Sequence, residues 1–221
     1  MTAGTIAQRL RIVFSKGAEV KYISHLDVLR AWERALRRAD APLAFSQGFN
    51  PHVLLYFAAA LPVGVTGSAE ILDVMLESTV DPASLLMALS AVLPIGLSVT
   101  TAYIVPVDAP NLAGQITSAE YIAEIEALHT PNDVQERIDA FLSREQVPRH
   151  IQRKDKSRDY DLRPLVQGLR FGGRRGERYL IGMRLQASAR GTGRPDEVLD
   201  ALGLRETVVC IERVSLHTDD G

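Results

Sequence analysis

Between residues 8 and 16 the chain reads QRLRIVFSK, where Leu10, Ile12 and Phe14 alternate with polar neighbours, and this period of two predicts a half-buried strand. The period then lengthens. Ser24 is a good N-cap with Asp27 three residues on, and Leu26, Leu29, Trp32 and Leu36 recur at helical spacing, so an amphipathic helix is predicted from there. Its other side carries Arg30, Arg34, Arg37 and Arg38, spaced so that guanidinium groups line one stripe, and Pro42 closes it. The segments PLAFS, HVLLYFAAALPVG and AEILDVMLES, the last with Ile71, Val74 and Leu76, read as strands. Asp81 and Pro82 open a second helix over Leu85, Leu86, Leu89 and Val92, which Pro94 and Gly96 stop. A β-branched run, LSVTTAYIVPV at 97–107, predicts a further strand.

Strand, helix, strand, strand, helix, strand is the split βαβ order of a ferredoxin-like half, an antiparallel sheet with two helices on one face. After the loop DAPNLAGQ, residues 108–115, the order recurs. ITSAEYIAEIEA reads as strand with helix as rival, PNDVQERIDAFL as a capped helix, and VPRHIQRK as strand. RYLIGMRLQA follows as strand, RPDEVLDALGL as a helix opened by Pro195, and ETVVCIERVSL as a last strand. YDLRPLVQGLRF is left over and reads as an insertion. The expected fold is therefore α+β, two tandem ferredoxin-like βαββαβ halves with antiparallel sheets, one over residues 1–108 and a divergent one over 109–221.

Composition narrows the classes. At 221 residues with 46% hydrophobic and 24% charged positions, the chain has the make-up of a globular protein. No apolar run reaches the ~18–20 residues of a spanning helix, and the start lacks a basic segment followed by an apolar core, so a cytoplasmic protein is expected. One cysteine, Cys210, forms no internal disulfide and cannot alone hold zinc or an iron–sulfur cluster; it reads as a core thiol, and neither metal nor cofactor is expected. The net charge of -2 conceals an uneven distribution. Eight of 25 Lys and Arg residues fall between Arg9 and Arg38, none follows until Arg137, and residues 148–178 carry ten against four acids. Two basic stretches around an acidic middle are the footprint of a phosphate-rich partner or, more plainly, solvated arginine faces.

Two clusters hold candidate chemistry. Lys21, Tyr22, Ser24, His25 and Asp27 surround the first helix start, where unpaired N–H groups and the helix dipole favour an anion, although ordinary capping explains Ser24 and Asp27. His25 there could take a proton from an RNA 2′-hydroxyl. The stretch FSQGFNPH, residues 45–52, is a turn at minimum, because Gly48 admits positive φ and Pro51 holds Asn50 extended. Phe45 and Phe49 beside Gln47, Asn50 and His52 also suit base stacking with amide readout, the core being the other destination for the rings. FGGRRGER lacks the strand-to-helix context and lysine of a phosphate loop.

KYISHLDVLRAWERALRRADAPLAFSQGFNPHVLLYFAAALPVGV, residues 21–65, resembles the radical-SAM-linked domain of unknown function DUF2344, with its YxSHLDxxRxxERALRRA helix, SQGFNPHP turn and ALPVGVES segment. DLRPLV and IERVSL resemble it too, whereas Val53 stands in place of the turn's last proline and TGSAEI in place of ESxxEY. The resemblance implies a domain fused behind a radical-SAM enzyme or encoded near one, often close to ribonuclease E/G genes. With no CxxxCxxC here, it implies a radical-SAM partner protein. The expected role is a non-catalytic RNA-binding or substrate-presenting subunit. In it Lys21, Tyr22, His25, Arg30, Arg34, Arg37 and Arg38 with Gln47, Asn50 and His52 form the contact surface, extended by Arg153, Lys154, Lys156 and Arg158. Two alternatives stand beside it: a metal-independent endoribonuclease resembling CRISPR RNA-processing enzymes, with His25 or His52 as base, and a protein-docking adaptor without RNA.

Overall fold

A computed structural model describes residues 6–153, 156–188 and 190–218 and shows an α+β protein with mostly antiparallel sheet. The chain divides into two compact units, Met1–Ile116 and Thr117–Gly221.

In the first unit the elements run β1 (Gln8–Lys16), α1 (His25–Arg38), β2 (Leu55–Phe57), β3 (Thr66–Leu76), α2 (Pro82–Val92), β4 (Leu97–Val105) and a four-residue turn of helix, α3 (Leu112–Gln115). β3 pairs with β2 on one side and β1 on the other, and β1 with β4, all antiparallel. The period of two in β1 is realised as expected: Leu10, Ile12 and Phe14 are buried in a core with Trp32 and Leu36 of α1, Leu72, Val74 and Leu76 of β3, and Leu85 and Leu89 of α2. Trp32 has no exposed surface and meets the Phe14 ring edge-on at 5.0 Å, an aromatic contact that adds to the area both bury. Helix α1 turns slightly from its expected face: Val28, Ala31, Trp32, Ala35 and Leu36 are buried, whereas Leu26 is 63% exposed. The long strand expected over HVLLYFAAALPVG shortens to Leu55–Phe57, because Pro62 and Gly64 turn the chain and Ala59 and Ala60 offer little side chain to pack.

The face of β1 away from these helices carries charge. Arg11 lies directly across from Asp73 of β3, and Arg9 sits two residues before it on the same face. Asp73 is fully buried and accepts from Arg9 Nε at 2.9 Å and Arg11 Nε at 2.8 Å, with further bonds from both Nη2 groups. Arg9 also donates to the carbonyls of Ala109 and Pro110, so one carboxylate ties β1 to β3 and, through Arg9, to the segment after β4.

In the second unit follow β5 (Ile116–Glu126), α4 (Pro131–Leu142), β6 (Pro148–Arg153), β7 (Lys156–Asp161), β8 (Val166–Arg175), β9 (Arg178–Ser188), β10 (Gly191–Thr192), α5 (Pro195–Ala201) and β11 (Val208–Thr218). β5 lies between β9 and β11, while β8 and the short β10 both pair with β9. Thr130 and Asp133 complete a capping box at α4. Here VPRHIQRK is a strand, but it lies outside this sheet, forming a separate two-stranded hairpin with β7. β8, expected as part of an insertion, takes the place beside β9. The cause is side-chain character: β6 and β7 read PRHIQR and KSRDYD, largely polar and charged, whereas β8 brings buried Val166 and Leu169 and sets Phe171 edge-on to Tyr179. Arg149 anchors the hairpin to Glu197 at 2.9 Å and to Asp200 of α5. Cys210 is half-buried on β11, and burial pushes its thiol pKa up, away from the reactive thiolate.

Removing Asp73 would leave two guanidinium groups facing each other without their shared acceptor. Asp73→Ala is therefore expected to lower the unfolding free energy by about 3–5 kcal/mol, the loss typical of a buried ion pair deprived of one partner. Urea denaturation checks this, and a loss under about 1 kcal/mol would assign the cluster a negligible share of stability.

Candidate nucleic-acid interface

With Trp32 and Leu36 inward, the opposite side of α1 is left to solvent, and Arg30, Arg34, Arg37 and Arg38 are all exposed along it. Arg30 lies 3.6 Å from Asp27, and Arg38 reaches the carbonyl of Val92 at 3.4 Å. Arg37 lies 5.2 Å from the centre of the Phe45 ring, a cation–π contact that brings the start of FSQGFNPH against the C-terminal half of the stripe.

That stretch is a closed loop. Phe45 bridges to Val53, Ser46 N–H donates to the His52 carbonyl at 2.9 Å, and His52 N–H donates to Ser46 Oγ at 3.0 Å. Ser46 Oγ is also 2.7 Å from His52 Nδ1, which fixes the imidazole at the loop base. Below it, Ala44 N–H donates to the Met75 carbonyl and Met75 N–H to the Leu54 carbonyl, so the base hangs from β3. Gln47, Gly48, Phe49, Asn50 and Pro51 form the tip, with Gly48 at φ +123°, a value a side chain would resist. The two phenylalanines part company: Phe45 packs against the core and under Arg37, whereas Phe49 is fully exposed at 106%. Phe49 is the surface aromatic that spacing alone did not separate from the core. Its flanks, Gly48 and Pro51, were the signal.

At the other end of α1, Ser24 caps the helix, accepting from Asp27 N–H at 3.2 Å and donating its hydroxyl to Asp27 Oδ2 at 2.7 Å. The Ser24 hydroxyl first, and then the charges of Arg30 and Arg34, hold the Asp27 carboxyl below its ordinary range. The chain's own carboxylate thus already sits at the positive helix end, where a bound anion would have to compete with it. Lys21 is half-buried with Nζ 5.0 Å from the Tyr22 ring centre, and Tyr22 is exposed. His25 is half-buried on the first turn, edge-on to Phe57 at 5.0 Å. It lines a cavity of about 10 Å³ together with Phe14, Val28, Phe57, Ala59, Leu61 and two buried charged residues, Lys16 and Glu70. Lys16 Nζ donates to the Lys21 carbonyl at 3.2 Å. A space of that size admits no more than a water molecule.

Of the remaining expected residues, Arg153 ends β6 and pairs in register with Lys156 of β7, and Arg158 pairs with Ile151, so their backbones form the basic hairpin. The side chains of Arg153, Lys156 and Arg158, and all of Lys154, lie outside the described residues. His25 and His52 are held by different neighbours, Phe57 and Ser46. Among the described residues, no group of three or more His, Cys, Asp or Glu residues is gathered to hold a metal ion, and no helix is long and apolar enough to cross a membrane.

The capping geometry makes a titration prediction. In Ser24→Ala the Asp27 carboxyl should titrate at higher pH than in the parent, because its largest stabilising hydrogen bond is gone. Since the folded-state pKa is the depressed one, the parent's cap adds stability above the unfolded carboxylate pKa and loses it as pH falls through the folded value. Carboxyl NMR titration reads the shift, and coincident curves would detach Asp27 from the cap.

Among solved structures, the chain is similar to one from a Cbf5–Nop10–Gar1 complex, with a TM-score of 0.53 at 9% identity over 96% of this chain and 49% of that one. A chain of an H/ACA RNP bound to a substrate RNA containing 2′-deoxyuridine gives 0.48 at 11% identity, covering 94% and 47%. One from an archaeal box H/ACA sRNP Nop10–Cbf5 complex gives 0.47 at 10%, covering 97% and 50%. The chain spans about half the length of each, and at 9% identity the likeness to the first is one of fold. No curated protein matches the sequence. The family model for DUF2344, described as an uncharacterized protein conserved in bacteria, matches residues 9–195, and the chain belongs to that family.

Proposed function

We propose that the chain is a non-catalytic RNA-binding subunit that presents its RNA to a radical-SAM modifying enzyme. The observation that carries this is the junction at Arg37 and Phe45, where a stripe of exposed arginines runs up to a loop displaying Gln47, Phe49, Asn50 and His52. Guanidinium groups along a helix face supply sequence-independent attraction to phosphates, and a fully exposed ring between glycine and proline is a stacking surface for an unpaired base. Amides at the same tip can read base edges. The basic β6–β7 hairpin is a second phosphate contact in this account. The radical-SAM partner rests on the family resemblance, as does the RNA-modifying context.

We also propose a tandem ferredoxin-like arrangement for the two units. It is supported in the first unit by the strand order β2-β3-β1-β4 with α1 and α2 on one face, and in the second by β8-β9-β5-β11, with the β6–β7 hairpin as the inserted piece. Such folds host many activities, so the fold is support for the scaffold only.

Filter binding of total cellular RNA at two salt concentrations tests the reading. Arg34→Ala with Arg38→Ala is expected to weaken retention about tenfold and to flatten the dependence of log affinity on log salt by about 1.4, roughly 0.7 for each single-strand phosphate contact. No retention at low salt, or an unchanged slope, overturns the proposal. RNA cleavage in EDTA that disappears in His25→Ala or His52→Ala would instead install the nuclease alternative.

A further inference from the structure

Helix α5 closes on a glycine. Gly203, at φ +68°, donates its N–H to the Asp200 carbonyl at 2.9 Å, and Leu204 N–H reaches back to the Leu199 carbonyl at 2.9 Å, a terminal turn that leaves the Leu202 carbonyl outside the helix's own ladder. That carbonyl accepts from Arg137 Nη1 of α4 at 2.9 Å. A Cβ at position 203 would stand 2.8 Å from the same Nη1, so the guanidinium lies over bare glycine backbone, a place only glycine leaves open. Four residues after Arg137 on the same side of α4 comes Phe141, and Arg144 stands just past the helix end with its N–H on the Phe141 carbonyl at 3.3 Å.

The two helix ends border an open cleft of about 350 Å³, the size of a small-molecule site. The small side chains of Ala140 and Ala201 leave the space, and Phe141 and Leu202, each almost wholly buried, form an apolar floor. Arg137 and Arg144 are the cations that line it. Asp200 is the one acid among the lining residues, and Arg149 donates to its carboxylate from behind; Glu136 and Glu145, next to the two arginines in sequence, are not part of the lining. The carbonyls at these helix ends are also occupied: those of Leu199, Asp200 and Phe141 by backbone N–H groups, that of Ala140 by the Ser143 hydroxyl and that of Leu142 by Arg163. Arg137 spends one donor on Leu202, and the exposed Arg144 side chain forms no hydrogen bond or ion pair among the described residues. Two guanidinium groups with donors to spare, beside an acid already neutralised, are complementary to an oxyanion.

We infer that the cleft between α4 and α5 binds a small organic oxyanion, with its phosphate or carboxylate between Arg137 and Arg144 and its apolar part over Phe141 and Leu202. The volume exceeds what a bare inorganic ion fills, and the apolar floor gives the remainder of the ligand a surface to cover. This site goes beyond the RNA reading and does not rest on it, since none of its residues belongs to the arginine stripe of α1 or to the 45–53 loop.

The test titrates the full chain with phenyl phosphate, benzoate, inorganic phosphate and neutral benzyl alcohol, following backbone amide and arginine Nε–H signals by NMR. At least one of the two organic anions is expected to saturate shifts at Arg137, Ala140, Arg144 and Ala201 with a Kd of about 1 mM, the scale for a probe of roughly ten non-hydrogen atoms, and to bind about threefold more tightly than inorganic phosphate. If only one of them binds, that result assigns the head group and upholds the inference. Arg144→Ala should weaken binding about tenfold, the loss of a hydrogen-bonded charge, and Ala140→Trp, which fills the cleft from an exposed position, should abolish it. Both variants should keep the parent's thermal transition, so a loss of binding reads the site and not the fold. Arg34→Ala with Arg38→Ala should leave the titration unchanged while losing RNA, which separates failure of this inference from failure of the RNA reading. No saturable shift below about 20 mM, roughly twentyfold above the expected Kd, overturns the inference. So does equal binding of benzyl alcohol or of inorganic phosphate, or an affinity indifferent to Arg144→Ala.

Discussion

The edge-on seating of Trp32 against Phe14 fixes the rotation of α1 about its own axis, and the surface of the first unit follows from that rotation. Trp32 is the largest fully buried side chain and sits mid-helix, so turning α1 by one residue would expose an indole and bury an arginine. With that contact made, Val28, Ala31, Ala35 and Leu36 complete the inward face, the arginines must face water, and Leu26 falls at the margin. The small residues Ala31 and Ala35 let the helix lie close to the sheet, which leaves its long cationic side chains clear of the strands.

Below the helix the sheet is held in two different ways on its two faces. Towards α1 and α2 it is apolar packing; on the far face it is Asp73 shared by Arg9 and Arg11. The shared carboxylate contributes specificity of register, because a slip by one residue would carry a charged row into the apolar core. It also fixes β3, from which the 45–53 loop hangs through Met75. Helix rotation and strand register together thus set where the loop tip stands beside the arginine stripe.

Much of this was legible in the chain. Strand β1, the boundaries of α1 and α2, the arginine stripe and the turn around Gly48 follow from period, caps and positive-φ residues, all of which act over a few positions. Even the buried Lys16 and Glu70 could be read, since they share parity with Leu10, Ile12 and Phe14 on β1 and with Leu72, Val74 and Leu76 on β3. What failed depends on distant partners. Leu26 looks equivalent to Leu36 until the depth of Trp32 sets the rotation, and β6 looks like a sheet strand until β8 competes for the edge of β9 with better apolar side chains. Spacing does not show that Phe45 goes inward, because the contacts that hold it come from the core and from Arg37.

The central claim is that the stripe of α1 and the 45–53 loop act as one RNA surface. Ultraviolet crosslinking of the full chain to cellular RNA, with the attachment sites located by mass spectrometry, reads this directly. The account predicts adducts at Phe49 and its loop neighbours, lost when the arginines of α1 are neutralised. RNA attached elsewhere on the chain, with the loop free of adducts, would contradict it.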